Sequence, residues 1–350
     1  ELRVPVVRAP PESARPAPRS DHGCGQMAAL RGGLNGGPEG ATMTEIEPAP
    51  MSGHADSDHR RGLWFGIAAY LVWGLSPLFW NLADVDAIDL LLHRTIWALP
   101  FLAIALTVRR RWPEVKAAYR SGRSRLITIV AAILLATNWG VFLWAVTNDQ
   151  VVEASLGYFI NPLVSVALGV IVLREHLRRT HWLAIVVAGA GVVFMTVRVG
   201  SLPWVAVTLA LSFGFYGLLK KNPATPRPLV SLFGEVSVLA LPAIVILTTV
   251  RVGQAEGPGS SIGTGAFLLG AGLITVIPLL LFGAAAKRIE LSTLGLLQYI
   301  APTMQFILGV TVFGESLSAD ALIGFVLVWV ALAIYTWDNL STAQPARSPA

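Results

Sequence analysis

LGYFINPLVSVALGVIVLREHL (156–177) and QYIAPTMQFILGVTVFGESL (298–317) decide the fold. Each is almost wholly apolar, each is interrupted early by a proline, and each closes on a glutamate. Counted from Pro162 and from Pro302, glycine follows at +7, valine at +8, glutamate at +13 and leucine at +15 in both. The two prolines are 140 residues apart. The same interval lays Trp64 on Trp204, Gly74 on Gly214, Leu78 on Leu218, Ile160 on Ile300 and Glu175 on Glu315. A chain that repeats itself at one interval over this range is read as a duplicated unit.

Composition sets the solvent of that unit. Of 350 residues, 54% are hydrophobic and 13% are charged, about half the charged share of a soluble domain. Such a chain cannot cover a soluble globule with polar surface. Apolar runs of about 20 residues span hydrocarbon as helices, and ten are expected, at 62–82, 90–108, 126–147, 151–173, 181–197, 202–219, 229–250, 265–286, 292–313 and 319–337. The expected fold class is an all-α integral membrane protein of ten transmembrane helices, arranged as two inverted five-helix repeats. Five is odd, so a second copy of the unit crosses the membrane in the opposite sense, and inverted repeats are a signature of transporters with a midplane site.

The expected organisation is a disordered tail at 1–60, one five-helix repeat at 61–198, a second at 199–338 and a disordered tail at 339–350. The first tail is rich in Pro, Gly, Arg and Ala and lacks the apolar core of a signal peptide. The single cysteine, Cys24, lies in it, so neither a disulfide nor a thiolate metal site can form within the chain. Taken alternately, one set of linkers holds seventeen basic residues, from Arg60 and Arg61 through Arg109 to Arg125, Arg174 to Arg179, Lys220 to Arg227, and Lys287 with Arg288. The other set holds Arg198 and Arg251. Cytoplasmic loops carry the Lys/Arg excess, which places both termini in the cytoplasm and the chain in the cytoplasmic membrane. Short basic runs that alternate with spans describe topology, so no nucleic-acid partner is expected.

The residues resemble the RarD-type transporters, in the EamA branch of the drug/metabolite transporter superfamily. WGLSP (73–77), HRTIW (93–97), NWGVFLWAV (138–146), EASLGYFINPL (153–163), SFGFYGL (212–218), Glu235, LSTLGLLQYIAPT (291–303) and WVALAIY (329–335) carry the likeness, which covers about 62–337. The resemblance implies ten helices, an inverted repeat, cytoplasmic termini, and export or exchange of small metabolites or drugs. Asn81 departs from it, since some relatives carry lysine at the end of the first helix.

Polar groups inside apolar spans are the candidate site, because they are costly there and mark function. Glu235 lies about two turns into its span and reads as a proton or cation site, as the partner of a basic group on another helix, or as a carboxylate that snorkels to the interface. Arg94 either pairs with Glu153, meets an anionic substrate, or snorkels outward. Glu153 opens the fourth span and is, with Glu235, a candidate for proton coupling, though a carboxylate there also suits a helix N-terminus. Asn138, Trp139, Tyr158, Asn161, Tyr216, Gln298 and Tyr299 supply the amide and aromatic groups a pocket for amphipathic molecules needs. Interhelical hydrogen bonding is the alternative for Asn138 and Asn161. Pro162 and Pro302 each free a backbone carbonyl, and read either as kinks that gate a cavity or as ordinary packing kinks. Glu175 is expected to pair with basic neighbours on the inner side.

No H-E-x-x-H pair, clustered histidines or P-loop occurs. The chain is therefore not expected to be an enzyme, to hold a metal or cofactor, or to use ATP. The expected partners are a small-molecule substrate, the lipid bilayer and protons as coupling ion. The expected function is a secondary transporter working by alternating access. The alternative is a passive channel or facilitator for small solutes.

Overall fold

A computed structural model describes residues 52–82, 85–148, 150–199, 204–250, 262–312, 314 and 319–342. They are helical throughout, with no strand among the described residues: α1 (Ser52–Trp80), α2 (Ala87–Val108), α3 (Trp112–Arg120), α4 (Gly122–Thr147), α5 (Val151–Ile171), α6 (Arg179–Val199), α7 (Trp204–Lys221), α8 (Pro228–Val250), α9 (Ile262–Ala286), α10 (Leu291–Leu297), α11 (Ile300–Thr311) and α12 (Ala319–Thr342). Where the expected spans fall on described residues, these are mainly helical. Six stretches are long and apolar enough to cross a membrane: Ser57–Trp80, Ala87–Val108, Gly122–Ala145, Pro228–Thr249, Gly263–Ala286 and Leu291–Thr311.

The outer surfaces of the helices are apolar. Ile104, Val108, Ile133, Ile171, Val186 and Val193 are all more than half exposed, a surface that water does not favour and lipid does. Inside, Tyr70 and Trp73 of α1, Phe213 and Tyr216 of α7 and Phe282 of α9 form one aromatic cluster, with ring centroids 5.1 to 6.4 Å apart. Tilted and edge-on contacts of this kind add to the burial itself. Around it α5 packs along α7 and α10, α6 along α12, α2 along α8 and α9, α1 along α9 and α11, and α4 along α7 and α8.

Local chemistry sets the helix ends. Asp86 caps α2, its Oδ1 accepting from the N–H groups of Ile88 (3.0 Å) and Asp89 (3.3 Å). Ser121 caps α4 through the Ser124 N–H. Both satisfy amides that a first turn leaves unpaired. α1 begins at Ser52, well inside the expected N-terminal tail, and α12 runs to Thr342, past the expected edge of the second repeat.

Two expectations need correction. The stretch between the second and third spans is not a plain linker. Pro113 opens α3, whose Val115 is buried while Lys116 and Arg120 face outward. The ninth span is not continuous either. Pro302 has no N–H to give the Gln298 carbonyl one turn back. That carbonyl instead accepts from Ala301 at 3.2 Å, while Gln298 and Tyr299 donate to Gly295 and Leu296, so the backbone tightens and separates α10 from α11. Pro302 then sits in the first turn of α11, where a missing N–H costs little. Pro162, its counterpart at the repeat interval, lies inside the unbroken α5.

The backbone beyond α5 also turns sharply. Arg174 adopts φ 56° and the Glu175 N–H donates back to Gly169 at 3.0 Å, a left-handed helix stop that glycine usually provides. Gly314 adopts φ 66°, 140 residues later. Glu315 lies outside the described residues.

Candidate functional site

Among the described residues, four gatherings of polar side chains hold the candidate residues. The first joins α7 and α8. Tyr216 and Lys220 are one turn apart on α7, and Ser231 and Glu235 one turn apart on α8, so each pair shares a helix face. Glu235 is fully buried and Lys220 nearly so. Glu235 Oε1 accepts from Lys220 Nζ and from Ser231 Oγ (2.5 Å), and its Oε2 accepts from Tyr216 Oη (3.0 Å). Lys220 Nζ also donates to Ser231 Oγ at 3.0 Å and stands 4.7 Å from the centre of the Tyr216 ring. Of the readings open for Glu235, the snorkelling one does not hold: the carboxylate turns inward to a basic partner on another helix. Lys220, grouped with the linker cations by sequence, is in fact that partner.

The second place joins α2, α4 and α5. The guanidinium of Arg94 lies 4.7 Å from the centre of the Trp139 ring, and Tyr158 is close enough to interact with its charge. Arg94 Nε is buried without a hydrogen-bond partner. No carboxylate reaches Arg94 among the described residues. The side chain of Glu153, its expected partner, lies outside them.

The third place is the break between α10 and α11. Gln298 Nε2 donates to Ser165 Oγ of α5 at 3.4 Å, and Asn161 lies one turn before Ser165. Tyr70 of α1 stands near the Gln298 side chain, and its hydroxyl has no hydrogen-bond partner at the usual distance. Asn161 Oδ1, Gln298 Oε1 and Tyr70 Oη are all buried and unpaired, a costly state in a dry interior. Tyr158, Asn161, Pro162 and Ser165 fall on one face of α5 by helical periodicity, so the second and third places follow one another along that helix. Gly295 permits this closeness: a Cβ there would stand 2.9 Å from the Pro162 carbonyl and from Ser165 Cβ.

The fourth place is a clasp. α10 has no side-chain cap of its own. Glu175 supplies one from beyond α5, its Oε1 accepting from Leu291 N–H (2.7 Å) and its Oε2 from Ser292 N–H (2.9 Å). Lys221 Nζ stands 3.4 Å from Oε1 and donates to the Ile289 carbonyl at 2.7 Å. Burial alone would raise the Glu175 pKa; the amides of Ser292 and Leu291 with Lys221 outweigh it and hold the carboxyl below its usual range.

The remaining candidates are committed to packing. Asn138 Nδ2 donates to the Leu209 carbonyl (3.0 Å) and to Ser212 Oγ (3.1 Å) on α7. Tyr299 is fully buried and its hydroxyl donates to the Phe159 carbonyl at 3.2 Å. Tyr216 serves Glu235. Sequence reasoning missed Tyr70, Ser165, Lys220 and Ser231 as members of these clusters. For Lys220 and Ser231 a signal existed, the four-residue spacing that sets each beside a polar partner. For Tyr70 there was none. No group of His, Cys, Asp and Glu able to hold a metal occurs among the described residues.

The profile of the EamA-like transporter family matches residues 60–197. Protein RarD of Streptomyces exfoliatus is 45% identical over 84% of this chain and 94% of its own length. Protein RarD of Escherichia coli (strain K12) is 40% identical over 81% and 97%. The chloramphenicol-sensitive protein RarD of Pseudomonas aeruginosa is 25% identical over 80% and 94%. A solved crystal structure, 18% identical, superposes over 81% of this chain and 99% of its own with a TM-score of 0.61, a likeness of fold alone.

Proposed function

This chain belongs to the EamA-like transporter family, as a RarD-type member of the drug/metabolite transporter superfamily, and from that premise we propose that it is a secondary transporter of small organic metabolites or drugs. It works by alternating access in the cytoplasmic membrane, as an exporter or exchanger, with ten spans in two inverted halves and both termini in the cytoplasm.

The observation that carries this reading is the cluster of unpaired buried oxygens on Asn161, Gln298 and Tyr70, beside Pro162 on α5 and the break that Pro302 makes. Irregular backbone at membrane depth is tolerated where it lines a cavity, and polar groups left without partners suit a ligand that supplies them. The packing supports two-fold related halves. At the repeat interval α1, α2, α4, α5 and α6 correspond to α7, α8, α9, α10 with α11, and α12. The pairs α2 with α8, α5 with α10 and α6 with α12 are then contacts between counterparts. The contacts of α1 with α9 and α5 with α7 have their images in α7 with α4 and α1 with α11.

Coupling is assigned to protons, with Glu235 as the carrier. Protonating it would leave the Lys220 ammonium without its counter-charge, so the proton changes the α7–α8 contact as well as the charge. Saturable solute flux in proteoliposomes, with and without an imposed pH gradient, tests the function. Flux that saturates and follows the gradient supports a coupled carrier. Flux that saturates and ignores the gradient reduces the reading to a facilitator. Flux that rises linearly with concentration supports the channel.

A further inference from the structure

Several charged groups among these helices are answered: Glu235 by Lys220, Glu175 by Lys221 and by backbone amides, Asp338 by Arg178 and His181. Arg94 has no such answer among the described residues. It sits two turns into the apolar α2, its guanidinium makes no hydrogen bond or ion pair to a described residue, and its Nε is sealed from solvent. What faces it is aromatic. Trp139 lies under the guanidinium at 4.7 Å, and Tyr158, within range of its charge, has about a third of its surface open and its ring 6.0 Å from Phe142. Guanidinium over indole is an attraction of about 0.5–2 kcal/mol, well short of the cost of keeping an unpaired cation in a membrane interior. His93 does not relieve it, since its Nδ1 is engaged with the Asp89 carbonyl at 2.9 Å.

We infer that Arg94 is the anion-recognising element of the transport site, and that the solute is an organic anion bearing a carboxylate on an aromatic or similarly flat apolar body. The planar donor fork of arginine matches a carboxylate in a bidentate way that lysine does not. The faces of Trp139 and Tyr158 supply the wall for the apolar body. The face of α5 that carries Tyr158 continues to Asn161 and Ser165, where the unpaired oxygens of Asn161, Gln298 and Tyr70 accept from donor groups farther along the same solute. The inference rests on the transporter reading for what happens after binding, though not for the binding itself.

The probes are 3-phenylpropanoate and its neutral counterpart 3-phenylpropanamide, which differ in charge and hardly in shape. Binding is read as ligand-induced thermal stabilisation of the purified full chain in detergent, and transport as uptake into proteoliposomes. The wild-type protein is expected to bind the acid and not the amide. Arg94→Gln should weaken acid binding roughly tenfold to a hundredfold, the worth of a charge-assisted hydrogen bond, and Arg94→Lys should retain part of it. The acid–amide contrast in the wild-type protein needs no variant and holds even if Arg94→Gln folds poorly. Equal binding of acid and amide, acid binding unchanged in Arg94→Gln, or no binding of the acid would each overturn the inference, even if other solutes are carried. Charge-selective binding lost in Arg94→Gln, but with no uptake, would sustain the anion site and remove the transporter reading instead.

Discussion

The hydroxyl of Tyr299 donates a 3.2 Å hydrogen bond to the backbone carbonyl of Phe159, and these two residues stand 140 positions apart, the interval at which the sequence repeats. Such a contact between positions one repeat interval apart is what the proposed two-fold relation between the halves would require near its axis. Close by, Gln298 meets Ser165 and Gly295 meets Pro162, so the polar cluster lies at this seam. Tyr299→Phe removes the bond and keeps the ring. It should cost about 1 kcal/mol, read as a small drop in the unfolding temperature with the fold retained.

Gly295→Ala places a methyl against the Pro162 carbonyl and Ser165. Overpacking of this kind costs about 1–3 kcal/mol. Thermal unfolding should show that loss, and the same change at Gly140, where a Cβ meets nothing within 4 Å, should not.

Glu235 and Lys220 should behave as one unit. Removing either alone leaves a buried charge without its partner, at about 3–5 kcal/mol. Glu235→Gln combined with Lys220→Met should recover much of that loss in thermal unfolding, a non-additivity expected for residues in contact. In proteoliposomes the double variant should keep downhill flux and lose its response to a pH gradient. An unchanged response would remove Glu235 as the proton carrier.

Glu175 sets a pH dependence. Its carboxyl is held below the usual carboxylate range in the folded state. The stabilisation is therefore complete above the unfolded value of about 4.3 and is lost as the pH falls through the lower folded value. Glu175→Gln should flatten the acid side of the stability profile. It should also speed hydrogen exchange at the Leu291 and Ser292 amides at neutral pH.

Pro302→Ala restores the N–H that the Gln298 carbonyl lacks and allows α10 and α11 to join. If the break serves gating, turnover should fall more than solute affinity. A change confined to affinity would leave Pro302 with a packing role. Pro162→Ala, inside the continuous α5, should have the smaller effect on turnover.

The sequence by itself pointed to an apolar solvent and to an all-helical membrane protein. Its scarcity of charge, its apolar runs and its alternation of basic linkers are sums over many residues, so single exceptions do not disturb them. The 140-residue repeat needed only side-chain identity to be seen. What the sequence left open was which polar groups meet. Lys220 read as a linker cation because its own neighbours suit a helix end, and only the approach of α8 buries it against Glu235. Asn138 read either as a pocket amide or as an interhelical hydrogen-bonding group, and only the position of α7 decides for the second. The two prolines read alike, yet the backbone tightens before Pro302, where Gln298, Tyr299 and Ala301 each donate only three residues back, and runs through Pro162 inside α5. Pairing between helices depends on distances of a few ångströms set by the whole bundle, and no periodicity along one helix records them.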